Sequence, residues 1–243
     1  MSTPVPSYEE ANNFAPPTTI NPSSQPPPLP PTELPPAYAV VDEKATNYTI
    51  YGTIIHTPSG PAYQLSSLLD ACISRLRIRR LRAEEISRLQ AGAPNVSFDN
   101  TRVLYEAHDP PFAVNEYFVQ GKQSGCLPGV LQLRFGLRRW HVRHLPEQGG
   151  RANDIMTCGK RGKLGRVIRE RRNEMEPSEW KDTDGTVMAT EVLKIEQGGK
   201  MPTIELREDL DQTCRELILA LWVTRLWAAF GAGTRSMYQQ EGW

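Results

Sequence analysis

The sequence predicts a mainly β domain, a sandwich or a barrel, that encloses a hydrophobic C-terminal helix and follows a disordered arm. Three observations predict it. Proline accounts for twelve of the first 36 residues. Short apolar or alternating runs then recur between Gly, Pro, Asn and Asp residues, which favours many strands over alternating β-α units. Finally, Leu217 to Phe230 is apolar nearly all round, as is typical of an enclosed helix.

The N-terminal arm, residues 1–46, is predicted to be disordered with a polyproline II bias. It contains few large aliphatic residues, so it cannot bury enough apolar surface to offset the entropy of ordering. Its charge also sets it apart: residues 1–43 carry five acidic and no basic residues, whereas residues 44–243 carry 28 basic and 23 acidic ones. The start of the chain has neither the basic nor the apolar region of a signal peptide, and we expect a cytoplasmic protein with reduced cysteines.

The domain, residues 47–233, begins where the sequence turns β-branched and aromatic at Tyr48. Pro58–Pro61 is predicted to be a turn, and residues 182–185, Asp-Thr-Asp-Gly, a hairpin turn. Leu65–Leu89 is ambiguous, because a helical stripe competes with a strand, and Ala83–Leu89 is predicted to be locally helical. The predicted strands are Tyr48–His56, Ser74–Arg82, Arg102–Ala107, Tyr117–Gln120, Val130–Phe135, Trp140–Leu145, Ile155–Cys158, Val167–Arg169, Glu179–Lys181, Val187–Lys194 and Thr203–Leu206.

The C-terminal helix is predicted to begin after Asp209 or Asp211, with acidic residues in its first turn, and to end at Gly231 and Gly233. Its apolar stretch spans 14 residues and contains Arg225. A bilayer span needs about 20 residues, so we predict a core helix. Residues 234–243 are predicted to be a polar tail.

The hairpin Trp180, Asp182, Asp184, Gly185, Val187 and Ala189, followed by a strand at Thr203–Leu206 and the helix Leu210–Phe230, resembles the tubby C-terminal-like superfamily. That superfamily includes the LURP-one-related proteins and the phospholipid scramblases. The resemblance implies a closed barrel of about twelve strands around the C-terminal helix. It also implies phosphoinositide binding or lipid movement as functions to consider.

The arm contains a complete PPxY motif, Pro35, Pro36, Ala37 and Tyr38. WW domains bind such motifs because preformed polyproline II costs little entropy to order. A degenerate copy contains Pro6 and Tyr8, and two sites on one flexible arm would increase avidity for a partner with several WW domains, such as a HECT-type ubiquitin ligase. The run Pro26–Pro31 is either a spacer or an SH3 or WW ligand.

Three basic clusters are candidates for an anionic-phospholipid patch, which would make this a peripheral membrane protein. The alternative is that they form an ordinary solvated strand face. In the first, alternation should place arginines on the outer face of a strand, with an irregularity at Arg79-Arg80. Few aromatic residues interleave with these clusters, so we expect no nucleic-acid binding. The patch residues are Arg75, Arg77, Arg79, Arg82, Arg138, Arg139, Arg143, Lys160, Arg161 and Lys163.

No catalytic or metal-ligand spacing emerges from the sequence, and we expect neither an enzyme nor a cofactor. The glycine-rich run at residues 159–165 has Leu164 where a phosphate loop needs Ser or Thr. The sequence therefore predicts an adaptor that recruits WW-domain partners through its arm, with a barrel that binds anionic phospholipid. The alternative is a scramblase-like or lipid-transfer protein that uses the C-terminal helix at membranes.

Overall fold

A computed structural model describes residues 45–111, 115–136, 139–147, 150–160, 178–196 and 199–240. Their twelve antiparallel strands close into one barrel, in which each strand pairs with its sequence neighbours and β1 pairs with β12. This confirms the predicted mainly β barrel with a C-terminal helix. The strands are β1 Asn47–Tyr51, β2 Ile54–Thr57, β3 Gly60–Leu65, β4 Arg75–Arg80, β5 Val103–His108, β6 Glu116–Gly121, β7 Val130–Gly136, β8 Arg139–Leu145, β9 Asn153–Lys160, β10 Ser178–Asp182, β11 Val187–Glu196 and β12 Gly199–Leu206.

Two helices accompany the barrel: α1, Ala83–Gln90, and α2, Gln212–Gln240. The helix predicted at Ala83–Leu89 is therefore confirmed. Asp211 caps α2, because its Oδ1 accepts a hydrogen bond from the backbone N–H of Cys214 at 2.7 Å. Two details of the prediction were wrong: the first turn of α2 contains no acidic residue, and the helix passes through Gly231 and Gly233 to Gln240.

The core is built by α2 together with the inward-facing residue of each strand. Residues 215–224 of α2 are all buried, and Trp222 is 1% exposed. A helix enclosed on all sides must be apolar all round, and this is why the segment looks like a short membrane span in the sequence.

The first predicted strand, Tyr48–His56, is two strands in the structure. Gly52 has a φ of +59° and opens a two-residue turn that reverses the chain. The predicted turn at Pro58–Pro61 is shorter than expected, because Gly60 and Pro61 already belong to β3. Pro61 pairs with His56 beside a bulge, where a missing N–H is tolerated.

Residues 65–76 form no helix, because β3 ends at Leu65 and a loop leads to β4. The hairpin turn at Asp182 is confirmed: its Oδ1 accepts the N–H groups of Asp184 at 3.0 Å and Thr186 at 2.8 Å. The predicted strand Val167–Arg169 lies outside the described residues.

The barrel has two distinct ends. The α2 entry end is where β1 begins, β12 ends and α2 begins, and it includes Ala45 and Asp211. The α2 exit end is where β1 and β7 end, where β4 and β8 begin, and where Ala229 and Phe230 of α2 become exposed. Because neighbouring strands are antiparallel, each connection between consecutive strands lies at one of these two ends.

Candidate anionic-lipid surface and the buried polar clusters

Two predicted patch residues, Arg77 on β4 and Arg82 just before α1, are engaged with acidic neighbours. Arg77 Nε lies 2.5 Å from Glu106 Oε2 on β5, and Arg82 Nη2 lies 2.5 Å from Asp99 Oδ2. Burial alone would raise the pKa of Glu106, but the hydrogen bond from Arg77 and the nearby Lys122 and His108 lower that pKa to about 2. These arginines are therefore largely neutralised within the barrel wall.

Arg79 corrects the expectation that every β4 arginine faces solvent. Its side chain is fully buried beneath α1. Its guanidinium donates to Gln64 Oε1, to both carboxylate oxygens of Glu85 and to the carbonyl of Ser97, and it lies 5.5 Å from the ring centroid of Phe98. Arg79 is a structural clamp on α1 and cannot contact a lipid. The predicted irregularity is present, as a register shift between Ile78 and Arg79.

Two predicted patch residues are exposed at the α2 exit end. Arg75 is the first residue of β4, and Arg139 is the first residue of β8. The Arg139 side chain lies over Gly159, where a Cβ would come within 3.0 Å of Arg139 Cγ. Within the part of the chain that the structure describes, neither arginine is in an ion pair. Among the described residues neither cation is neutralised, so each can meet an external anion.

The basic residues of β4 and those of β8 do not form one continuous patch. β5, β6 and β7 separate β4 from β8. Arg143 lies towards the α2 entry end, and its Nε contacts Asp154 Oδ1 at 3.1 Å. Lys160 ends β9 at the exit end, where it pairs with Ser178. The candidates Arg138, Arg161 and Lys163 lie outside the described residues, as do all the WW-binding candidates, Pro6, Tyr8, Pro35, Pro36 and Tyr38.

Sequence reasoning missed Arg134, which is exposed on β7 directly opposite His141 of β8. The alternation of Leu131 and Leu133 with Gln132 and Arg134 was the signal that could have found it. Arg134 extends the exposed basic surface of β8 by one strand.

A buried polar cluster joins α2 to the barrel wall near the entry end. Both carboxylate oxygens of Glu216 accept hydrogen bonds from the Arg80 guanidinium. The bond from Arg80 Nη2 to Glu216 Oε2 is 2.7 Å long. Tyr63 Oη and Gln212 Nε2 also donate to Glu216 Oε1, at 3.2 and 2.8 Å. Burial, with the nearby carboxylate of Glu216, raises the pKa of Tyr63 well above its usual value. The cluster fixes the start of α2.

A second cluster lies deeper inside the barrel and explains the charge within the apolar helix. Trp180 Nε1 donates to Glu191 Oε1 at 2.7 Å. Arg225 Nη1 lies 2.8 Å from Glu191 Oε2 and forms an ion pair with it, but the two groups are not aligned for a hydrogen bond. Arg225 Nη2 donates to Ser178 Oγ at 3.0 Å. Burial, followed by the charge of Glu191, raises the pKa of the adjacent Cys158, so this thiol stays protonated and is a poor nucleophile.

Comparisons with protein-family models, with curated proteins and with solved structures found no match to this chain. Among the described residues, no helix has the length and apolarity needed to span a bilayer. The geometry therefore leaves the exposed cations of the exit end as the candidate site on the barrel.

Proposed function

We propose that this protein is a non-enzymatic adaptor of the tubby-like kind, which captures WW-domain partners through its arm and binds anionic phospholipid through its barrel. The PPxY motif at Pro35, Pro36 and Tyr38 is the main WW ligand, and Pro6 with Tyr8 is the weaker second site. The fold supports the resemblance on which the family proposal rests, because twelve strands enclose a C-terminal helix.

The observation that carries the lipid part is the position of Arg75 and Arg139. Both begin strands at the exit end, and both are exposed. Each basic residue near an anionic membrane surface contributes about 1 kcal/mol of attraction, which falls off within a Debye length. We therefore expect peripheral binding that weakens as salt is added.

The position of Ala45 supports simultaneous binding of both partners. Ala45 is buried at the entry end, where its carbonyl accepts hydrogen bonds from Arg215 Nη1 at 2.7 Å and Tyr48 Oη at 3.0 Å. The chain therefore joins the barrel at the end opposite Arg75 and Arg139. A membrane bound at the exit end leaves this junction clear.

The WW part is tested by capture of the full chain on an immobilised tandem WW protein. Tyr38→Ala should abolish capture at moderate protein concentration, and Tyr8→Ala should weaken it several-fold through lost avidity. Phe14→Ala, which removes an aromatic residue of the arm outside both motifs, should change nothing. Capture that survives Tyr38→Ala would contradict the assigned motif.

The lipid part is tested by co-sedimentation of the full chain with vesicles of phosphatidylcholine, with and without phosphatidylserine and phosphoinositide. Arg75→Glu with Arg139→Glu should remove most of the binding at low salt. Arg143→Glu, at the other end of β8, is the matched control and should remove less. Equal binding to neutral and anionic vesicles, or a larger loss in the control, would contradict the proposal.

A further inference from the structure

The large exposed hydrophobic residues of the described chain are concentrated at one end of the barrel. Tyr51, Leu68, Phe135 and Phe230, which are 38 to 49% exposed, all lie at the α2 exit end. Val187, at 37%, is the fifth and lies at the entry end. Scattered exposed apolar residues are ordinary, but several at one end of a barrel indicate a contact surface.

These four residues, here called the apolar rim, are spread around the mouth from which α2 emerges. Tyr51 ends β1, and Phe135 lies near the end of β7, on the opposite wall of the barrel. Leu68 lies in the β3–β4 loop beside Gly52, and Phe230 lies on α2 between the two walls. The rim therefore surrounds α2 at the point where the helix leaves the barrel and continues to Gln240.

Part of the rim is supported from inside by a chain of aromatic rings. Ring centroids lie 5.2 Å apart for Phe135 and Trp140, 6.2 Å for Trp140 and Tyr117, and 5.7 Å for Tyr117 and Trp227 of α2. This chain packs Phe135 against Trp140 at the mouth. The exposure of Phe135 is therefore built into the packing.

The exposed charged residues also differ between the two ends of the barrel. At the exit end, Arg75 and Arg139 are exposed, and Asp70 is the exposed carboxylate among the side chains described there. The entry end carries exposed side chains of both signs, but acidic ones (Glu84, Glu147, Asp154, Asp184, Glu208, Asp209 and Asp211) outnumber basic ones (Arg88, Lys122, Arg143 and Arg151). Aromatic and aliphatic residues flanked by arginines are the combination that enters the headgroup layer of an anionic bilayer.

We infer that the apolar rim inserts into the interface of an anionic bilayer while Arg75 and Arg139 contact its phosphates. This inference rests on the proposed lipid function and deepens it: electrostatic attraction brings the barrel to the membrane, and burial of the rim then holds it there. Because salt screens only the first component, a fraction of the binding should resist high salt.

The test measures partition of the full chain onto phosphatidylserine vesicles at about 0.1 M and 1 M salt. The unmodified protein should keep a salt-resistant component. Phe230→Ser and Leu68→Ser should each weaken that component roughly tenfold, and Val187→Ser should leave it unchanged. Leu68→Trp should strengthen it, which keeps the test informative even where a serine variant is less stable.

The outcomes separate the two proposals. Binding that disappears at high salt and is indifferent to the rim variants would overturn rim insertion and leave the electrostatic proposal standing. No vesicle binding under either condition would overturn both. A salt-resistant component that Val187→Ser weakens as much as Phe230→Ser would also overturn rim insertion. So would a dimer in solution that the rim variants convert to monomer, because the rim would then bind a second copy.

Discussion

Arg225 of α2 and Glu191 of β11 form an ion pair inside the barrel, with Nη1 2.8 Å from Oε2. The pair sets the rotation of α2, because its partners Trp180 and Ser178 lie on β10 and present their donor and acceptor in fixed positions. A charge that would be costly at the centre of a membrane span is here paired with a carboxylate of the barrel wall.

Removing one member of this pair should be more costly than removing both. Arg225→Met leaves Glu191 buried without its cation and should lower the free energy of unfolding in urea by about 3–5 kcal/mol. Arg225→Met combined with Glu191→Gln should recover much of that loss, because Gln can still accept the Trp180 N–H. A double variant that is no more stable than Arg225→Met would show that the pair does not act as a unit.

Trp222→Ala tests the enclosed position of α2. Trp222 is 1% exposed, and its truncation should cost about 3–5 kcal/mol. In a domain of this size that corresponds to a fall in melting temperature of roughly 6–20 °C. Ala229→Ser, at an exposed position of the same helix, should change stability by less than about 0.5 kcal/mol. A melting temperature unaffected by Trp222→Ala would refute the central helix.

Arg79→Met tests the clamp beneath α1. The change leaves Gln64 without its donor and Glu85 without its cation, so it should cost about 2–4 kcal/mol. Hydrogen exchange should rise more in α1 than in the strands, since α1 has no buried residue of its own to hold it. Arg88→Met, on exposed α1 surface, is the control. If hydrogen exchange in α1 did not change, Arg79 would have no role in holding α1 on the barrel.

Acid should destabilise the barrel partly through Glu106. A carboxylate with a pKa of about 2 in the folded state stabilises the fold above the unfolded-state pKa of 4.5, and this contribution is lost as pH falls from 4.5 towards 2. Solvent near its partners limits the contribution to about 1–2 kcal/mol. In urea unfolding at several pH values, Glu106→Gln should flatten the dependence in this window, whereas the exposed Glu84→Gln should not. If the stability of Glu106→Gln and that of the unmodified protein varied in parallel with pH, Glu106 would not be responsible for the loss in acid.

The sequence predicted the barrel well where one face of a strand meets solvent, as in β7 and β8, because alternation then marks the inward residues. It missed β3, whose residues Pro61–Leu65 are all buried. The inner face of β3 meets α2, while its outer face is covered by α1 and by the segment around Val96, whose carbonyl accepts a hydrogen bond from Gln64. Strands covered on both faces lose their alternation.

The same cover explains the error at Arg79. Alternation correctly placed its side chain on the outer face of β4, but the sequence could not show that α1 closes over that face. Likewise, the pairs Arg80–Glu216, which is partly buried, and Arg225–Glu191 join residues 136 and 34 positions apart in the chain, a separation that local patterns do not reveal.

The central claim, that the chain links WW partners to anionic membranes, is tested most directly by recruitment of a labelled tandem WW protein to phosphatidylserine vesicles. We predict recruitment only when the full chain is added, with loss on Tyr38→Ala and, independently, on Arg75→Glu with Arg139→Glu. Val187→Ser should preserve recruitment. If the double arginine variant recruits the WW protein as well as the unmodified chain does, the barrel end is not the membrane contact, and the account is wrong.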